Sequence, residues 1–280
     1  RAFTRFYRLR SPGVLPGPLN RGNAAGGIWD HYAAVAHPCD NGTFAVTLGV
    51  STADRATTAL SRPGPFTAAA CLSPYLAPWT DAKTAVPFTG VRPITMPPNI
   101  LRPTAGPGQR PVAGLFPVGD AVCVTDPLLG RGMSLALLHA FRLADLLDAH
   151  PAVGEQQSER AAQLADELFR PWYEQAVHDG VVRDRLWRAR AAGIAPPPPA
   201  SAVTGRPTPA AVAAAAMTDA TVWRGVTRFL MSLTAPAEIF DDAAFRDRVR
   251  AAPADDAPAG PRSPTRTELL QAIAAAEGAR

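Results

Sequence analysis

The sequence has few cysteines and no long hydrophobic run, and these absences exclude several classes of protein. Its cysteines, Cys39, Cys71 and Cys123, are widely spaced and form no C-x-x-C pair. Such an odd-numbered set indicates neither a disulfide framework nor a zinc site, and it is typical of a reducing compartment. No apolar run approaches the roughly 18 residues of a membrane span, and no signal peptide is visible. We therefore expect a cytoplasmic protein with no metal site and no membrane span.

Concentrated positive charge is also absent. The formal net charge is only +4, the arginines are scattered, and no basic run carries interleaved aromatic residues. These patterns argue against a nucleic-acid partner. With 280 residues that are 47% hydrophobic, the chain can build one large or two modest domains. Nothing in the sequence indicates an oligomeric state.

A third absence concerns dinucleotide binding. No strand followed by G-x-G-x-x-G and a helix precedes residue 114, and the glycines of residues 22–27 lack that spacing. We therefore expect the βαβ unit that binds adenosine diphosphate to be missing from this sequence.

The most informative stretch runs from residue 114 to residue 147. Residues 114–118 read as a short apolar strand that ends at Gly119 and Asp120, and a loop then leads to a glycine turn that opens a long helix. Gly130 and Gly132 would let the main chain approach a ligand closely. The free N–H groups and positive dipole end of the helix would attract anionic or electron-rich groups. A carboxylate at the carboxyl end of a strand can accept hydrogen bonds from sugar hydroxyls.

This stretch resembles the second flavin-binding motif of the flavin-dependent monooxygenases related to aromatic hydroxylases. The resemblance implies that Asp120 contacts the ribityl chain of FAD and that the start of the helix faces the pyrimidine end of the flavin ring. The residues that it assigns to cofactor binding are Gly119, Asp120, Pro127, Gly130, Arg131, Gly132, Met133 and Ser134. The motif departs from many family members at Cys123, where they have histidine, and at Ser134, where they have asparagine.

The resemblance also implies a fold and a function. The expected fold is α/β with an antiparallel sheet: the later part of an FAD/NAD(P)-binding fold, with a substrate sheet and C-terminal helices. The expected function is that of an FAD-dependent oxidoreductase, as a monooxygenase of a small organic substrate with NADH or NADPH as reductant. The alternatives are a flavin-dependent reductase of the same fold, which would act on alkenes, and a catalytically silent fragment or binding module.

Three regions follow from this interpretation. They are an antiparallel substrate sheet over residues 1–105, the FAD-binding strand, motif and helix over residues 106–150, and a helical region with a proline-rich linker and a flexible tail over residues 151–280. Within the first region, residues 3–10, 28–37, 43–50 and 86–96 read as strands, with a tight hairpin at Asn41 and Gly42. Residues 52–60 and 66–72 read as short helices.

The third region reads as packing helices. Helical periodicity extends over residues 155–173 and continues beyond Pro171, Thr208 and Pro209 open a further helix, and residues 222–233 carry an apolar stripe. Residues 196–199 read as a polyproline linker and residues 251–264 as a disordered segment. Residues 265–268 form a capping box for the last helix.

No acid–base constellation is visible in the sequence. The histidines at 31, 37, 139, 150 and 178 have no carboxylate or cysteine at a spacing that suggests a catalytic dyad. Tyr7, Trp29 and Tyr32 lie on the expected sheet and are candidates for substrate contact. Such a protein can still be an enzyme, because a flavin itself carries the redox step.

Overall fold

The computed structural model describes residues 1–95, 97–103, 111–195, 206–252 and 262–278. It confirms the coarse fold class, since the chain combines an antiparallel sheet with many helices. By its internal contacts the described chain groups into two units. The first holds residues 1–95, 182–195 and 262–278, and the second holds residues 97–103, 111–181 and 206–252.

The elements have the following bounds. The strands are β1 Ala2–Leu9, β2 Ala25–Ile28, β3 Tyr32–Pro38, β4 Thr43–Val50, β5 Ala85–Pro87, β6 Arg92–Ile94, β7 Ile100–Leu101 and β8 Cys123–Val124. The α-helices of the described chain are α1 Pro63–Cys71, α2 Ala77–Thr80, α3 Gly132–Ala149, α4 Glu155–Ala192, α5 Pro209–Ala216, α6 Ala220–Leu230, α7 Pro236–Phe240, α8 Ala243–Ala251 and α9 Arg266–Gly278. Short 3-10 turns cover Arg55–Ser61, Gly119–Ala121 and Pro127–Leu129.

The first unit is built on a six-stranded antiparallel sheet. Its order is β2-β3-β4-β1-β5, and β6 also pairs with β1. Side chains of β4 alternate between buried and half-buried, as a strand with one covered face requires. The predicted hairpin is confirmed: Asn41 and Gly42 have φ angles of 57° and 66°, and Tyr32 pairs with Val50 across β3 and β4.

Two predicted strands are shorter than expected. The strand over residues 28–37 is interrupted, because a turn between β2 and β3 is closed by the Trp29 amide, which donates to the Tyr32 carbonyl oxygen at 2.8 Å. The strand over residues 86–96 is replaced by β5 and β6. Prolines at 87 and 93 cannot donate to a ladder, so both segments stay short, and within the described residues each pairs with β1 alone.

Helices α1 and α9 cover this sheet. Leu269 and Ile273 of α9 are buried in the core that the sheet and α1 share. The predicted capping box is confirmed, since the Thr265 amide donates to Glu268 Oε2 at 2.7 Å and the Glu268 amide donates to Thr265 Oγ1 at 3.2 Å. The short helix predicted over residues 52–60 is a 3-10 turn, and α1 begins at Pro63.

The second unit is mainly helical. Helix α4 continues through Pro171 for 38 residues and so contributes to both units. The helix start at Thr208 is confirmed, because its side chain accepts from the Ala211 amide at 3.0 Å. The apolar stripe of residues 222–233 is only partly buried: Val222 and Phe229 lie in the core, whereas Leu233 is exposed.

The prediction of a strand over residues 114–118 is wrong. Val118 has an extended backbone, with φ −133° and ψ 160°, but the described chain offers it no neighbouring strand. An extended segment without a hydrogen-bonded neighbour is not a strand, and the nearest pairing joins β7 to β8 instead. The predicted polyproline linker over residues 196–199, and most of the segment predicted to be disordered, lie outside the described residues.

Candidate functional site: two glycine turns and the start of a helix

The first turn of the candidate site is the 3-10 turn Gly119–Ala121. Gly119 has a φ of 58°, a left-handed conformation that favours glycine, and a Cβ there would lie 3.6 Å from the Cβ of Ala136 on α3. The turn therefore packs directly on the helix. Asp120 is exposed, and its backbone carbonyl oxygen accepts a hydrogen bond from the Arg102 guanidinium. Within the described ranges its carboxylate has no partner, so it is open to a ligand.

The second turn joins β8 to α3. Asp126 caps it, since Oδ1 accepts from the Leu128 amide at 3.0 Å. Gly130 then has a φ of 64°, and its amide donates to the Pro127 carbonyl oxygen at 3.1 Å. A Cβ at Gly130 would meet nothing within 4 Å. The glycine is thus needed for its left-handed backbone, and the space beside it is open.

Helix α3 begins without a capping side chain. The Leu135 amide donates to the Arg131 carbonyl oxygen at 3.1 Å, which makes Arg131 the residue before the first helical turn. No side chain of Arg131 caps that turn, and Met133 and Ser134 are exposed. The amides at the start of an α-helix have no partner within the helix, and the positive end of the dipole lies there. This start can therefore bind an anionic or electron-rich group.

Arg131 differs from the other predicted site residues because it is buried. Its side chain is 2% exposed, and the guanidinium carbon lies 4.7 Å from the Trp172 ring centroid and 4.6 Å from that of Phe229. Burial lowers the pKa of Arg131 to about 10, although the carboxylates of Asp179 and Asp126 oppose the shift. The side chain is therefore still a cation at neutral pH, and it points into the core of the second unit.

The other predicted residues lie at or near the surface. Asp120, Pro127, Gly130, Met133 and Ser134 are exposed, and Gly119 and Gly132 are half-buried. Apart from Arg131, then, the residues assigned from the sequence could be reached by a ligand.

The titratable side chains behind the turns do not offer acid–base or nucleophilic chemistry. Burial raises the pKa of the Cys123 thiol to about 11, and the negative charge of Asp120 adds to the shift. Cys123 is therefore a neutral thiol at pH 7 and a poor nucleophile. His139 is 1% exposed, and neither ring nitrogen has a hydrogen-bond partner among the described residues. Burial lowers the pKa of His139, so this ring is neutral at pH 7.

We expect His139→Leu to make the second unit less sensitive to acid. Burial depresses the folded-state pKa of His139 below its ordinary 6.5, so below that pH the unfolded chain binds the proton more readily, and stability falls as pH falls. At neutral pH, removing two unpaired buried nitrogens should stabilise the unit by roughly 1 kcal/mol.

Urea unfolding above and below pH 6.5, followed through NMR signals of α3 amides, measures the stability at neutral pH and its loss in acid. The buried His31 and the half-buried His37, whose pKa values are also lowered by burial, remain in both proteins, so the difference isolates His139. An equal loss of stability in acid for the wild type and the variant would contradict the expectation.

Helix α3 is apolar on two opposite faces. Leu135, His139 and Leu143, spaced by four residues, are buried in the second unit. On the other side Met133, Leu137 and Phe141, with the same spacing, are 76%, 54% and 70% exposed. Leu115 and Val118, before the first turn, are 64% and 45% exposed. A helix with apolar residues on both sides is typical of one that is covered on both sides.

His31, for which no catalytic dyad was predicted, does have a carboxylate partner. In the turn between β2 and β3, His31 Nδ1 lies 2.7 Å from Asp30 Oδ1, and Asp30 Oδ2 lies 2.6 Å from Arg190 Nε. Sequence adjacency of the aspartate and histidine in a turn was the available signal. Burial lowers the pKa of His31 despite this contact, and the ring is only 2% exposed. The His31 ring therefore lies inside the first unit without access to a substrate, whereas the Asp30 side chain is 41% exposed and paired with Arg190.

Two of the three aromatic candidates for substrate contact are also inaccessible. Tyr7 and Tyr32 are 2% and 0% exposed. Tyr7 stacks on Phe44 with ring centroids 5.2 Å apart, and Tyr32 stacks on Trp29 at 4.7 Å. The two tyrosines fill the core of the first unit, and only the half-buried Trp29 keeps an accessible surface.

The sequence matches no protein-family model in a scan of such models, and no curated protein matches it in a sequence search. In the described residues, no helix is both long and apolar enough to cross a lipid bilayer. No group of three or more His, Cys, Asp or Glu side chains in those residues is arranged to hold a metal ion.

Proposed function

We propose that this chain carries part of the cofactor site of an FAD-dependent oxidoreductase, with monooxygenation of a small organic substrate as its reaction. One observation carries the proposal. The exposed, unpaired Asp120 carboxylate lies in a turn that packs on α3, and the uncapped residues 132–134 form the start of that same helix. This arrangement suits a ligand with hydroxyl groups near an electron-rich ring.

The residues fit FAD in their chemistry. The Asp120 carboxylate would accept hydrogen bonds from ribityl hydroxyls, and the amides at the start of α3 would face the pyrimidine end of the flavin. The open space beside Gly130 allows a flat ring to approach the backbone. FAD supplies the redox chemistry when bound, and the chain supplies position and electrostatics. The neutral Cys123 thiol and the buried His139 are consistent with a reaction that uses no protein nucleophile.

The exposed apolar face of α3 supports a further part of the proposal. Met133, Leu137 and Phe141 form an exposed apolar surface that a further structural unit, outside the two described, would cover. We infer that this unit is the dinucleotide-binding βαβ unit, which would supply the pyrophosphate contacts of FAD. NADH or NADPH would then reduce the flavin.

We expect this chain alone to bind FAD weakly. Without pyrophosphate contacts its dissociation constant should exceed about 0.1 mM, equivalent to less than about 5.5 kcal/mol of binding free energy. The purified chain should therefore be colourless, and ADP alone should not bind measurably. Visible absorbance after purification shows whether flavin is retained, and a fluorescence titration with FAD measures the dissociation constant. A yellow protein with stoichiometric flavin would show that the chain holds a complete cofactor site.

A further inference from the structure

Arg131 stands between two glycines of the candidate site, yet its side chain is directed away from the surface. Gly130 precedes it with a left-handed backbone, and the Gly132 that follows opens α3. The guanidinium carbon lies within 4.7 Å of the ring centroids of Trp172, on α4, and Phe229, on α6. The side chain thus connects the turn to the centre of the helical core.

The contact with the rings is the main interaction that the structure gives this cation. None of the three guanidinium nitrogens has a hydrogen-bond partner among the residues described. The Trp172 and Phe229 rings are inclined by only 19° to each other, and their centroids are 5.8 Å apart. A planar guanidinium against two aromatic rings gains cation–π attraction, and this attraction is stronger where water is excluded.

The backbone of Arg131 links the anchored side chain to the candidate site. Its carbonyl oxygen accepts the first bond of α3, from the Leu135 amide, and the preceding Gly130 amide donates to the Pro127 carbonyl oxygen. The first bond uses the Arg131 backbone itself and the second lies one residue before it, and each is 3.1 Å long. A side chain held on the rings would therefore restrain both the turn and the direction of the first helical amides.

We propose that Arg131 is a positioning residue: its cation–π contact with Trp172 and Phe229 holds the Gly130 turn and the start of α3 in the geometry that the ligand requires. It acts through the backbone and does not touch the flavin. The part of this role that concerns flavin rests on the proposed function, whereas the ordering of the turn does not.

Hydrogen exchange of single amides in Arg131→Met tests the ordering directly. Methionine keeps a long apolar side chain but removes the charge. We expect the Gly130 and Leu135 amides to exchange about tenfold faster or more, while the His150 amide, bonded to the Leu146 carbonyl oxygen at the far end of α3, keeps its rate. In Arg131→Lys, which keeps a cation, the exchange rates of these amides should lie between those of the wild type and Arg131→Met. Arg142→Met, at an exposed arginine of the same helix, is the matched control and should change none of these rates.

Several outcomes would overturn the positioning role. They are unchanged exchange at Gly130 and Leu135, an equal rise along the whole of α3, or Arg131→Lys exchanging as fast as Arg131→Met. An FAD titration of the same variants separates this inference from the proposed function. Weaker FAD binding by Arg131→Met than by Arg142→Met supports both, and equal binding by the two variants counts against the positioning of the flavin site. A wild type that binds no FAD even at several millimolar rejects the proposed function, while the exchange rates still decide the role of Arg131.

Discussion

Under the proposed function, replacing Asp120 with alanine is expected to weaken FAD binding roughly ten- to a hundredfold in a protein that combines this chain with a dinucleotide-binding unit. The carboxylate is exposed and unpaired in the described chain, so a ligand can use its oxygens without first breaking a contact. Loss of a charged acceptor for ribityl hydroxyls should cost on the order of 1.5 to 3 kcal/mol of binding free energy. Because no structural contact of the side chain is lost, the fold should remain intact.

Flavin fluorescence titration of the wild type and the variant measures this change. Asp148→Ala is the matched control, since it removes an exposed carboxylate from the last turn of α3. We expect the control to bind FAD as the wild type does. Equal affinity of Asp120→Ala and the wild type would remove Asp120 from the cofactor site.

Dependence of substrate turnover on dioxygen is the second large effect that we expect. Under the proposed function a bound flavin would carry the redox step, since the Cys123 thiol is neutral and His139 is buried. In a monooxygenation, NADH or NADPH supplies two electrons, one oxygen atom of dioxygen enters the substrate, and the other leaves as water. Removing dioxygen should therefore stop substrate turnover almost completely. With air present, the substrate should also speed the oxidation of the nicotinamide.

Product analysis with and without dioxygen distinguishes this reaction from reduction of an alkene. A monooxygenase releases an oxygenated product and consumes one dioxygen for each nicotinamide oxidised. Anaerobic turnover to a reduced product, at a rate equal to or above the aerobic one, would favour the reductase and contradict monooxygenation.

Local signals in the sequence predicted much of the first unit. Asn41 and Gly42 adopt left-handed φ angles that few other residues tolerate, and this fixes the β3–β4 hairpin. The capping box of α9 involves residues only three apart, Thr265 and Glu268. Both features depend on neighbours in the chain, so the pattern of residue types is sufficient to predict them.

Features that depend on distant partners could not be predicted in the same way. Residues 114–118 have the composition of a strand, but a strand forms only beside another strand, and none lies beside them in the described chain. Arg131 was assigned to the cofactor because of its place in the motif. Its side chain packs on Trp172 and Phe229, which lie far along the chain, and no spacing rule indicates that direction.

Mapping FAD onto the amide signals of the isotope-labelled chain tests the central claim most directly. With FAD added to about 1 mM, where weak binding becomes visible, we expect shifts confined to residues 119–121 and 130–134. These shifts should be lost or strongly reduced in Asp120→Ala, which has no side-chain acceptor, and persist in Asp148→Ala. Shifts located elsewhere, shifts that Asp120→Ala retains in full, or no shifts at several millimolar FAD would contradict a flavin site at the start of α3.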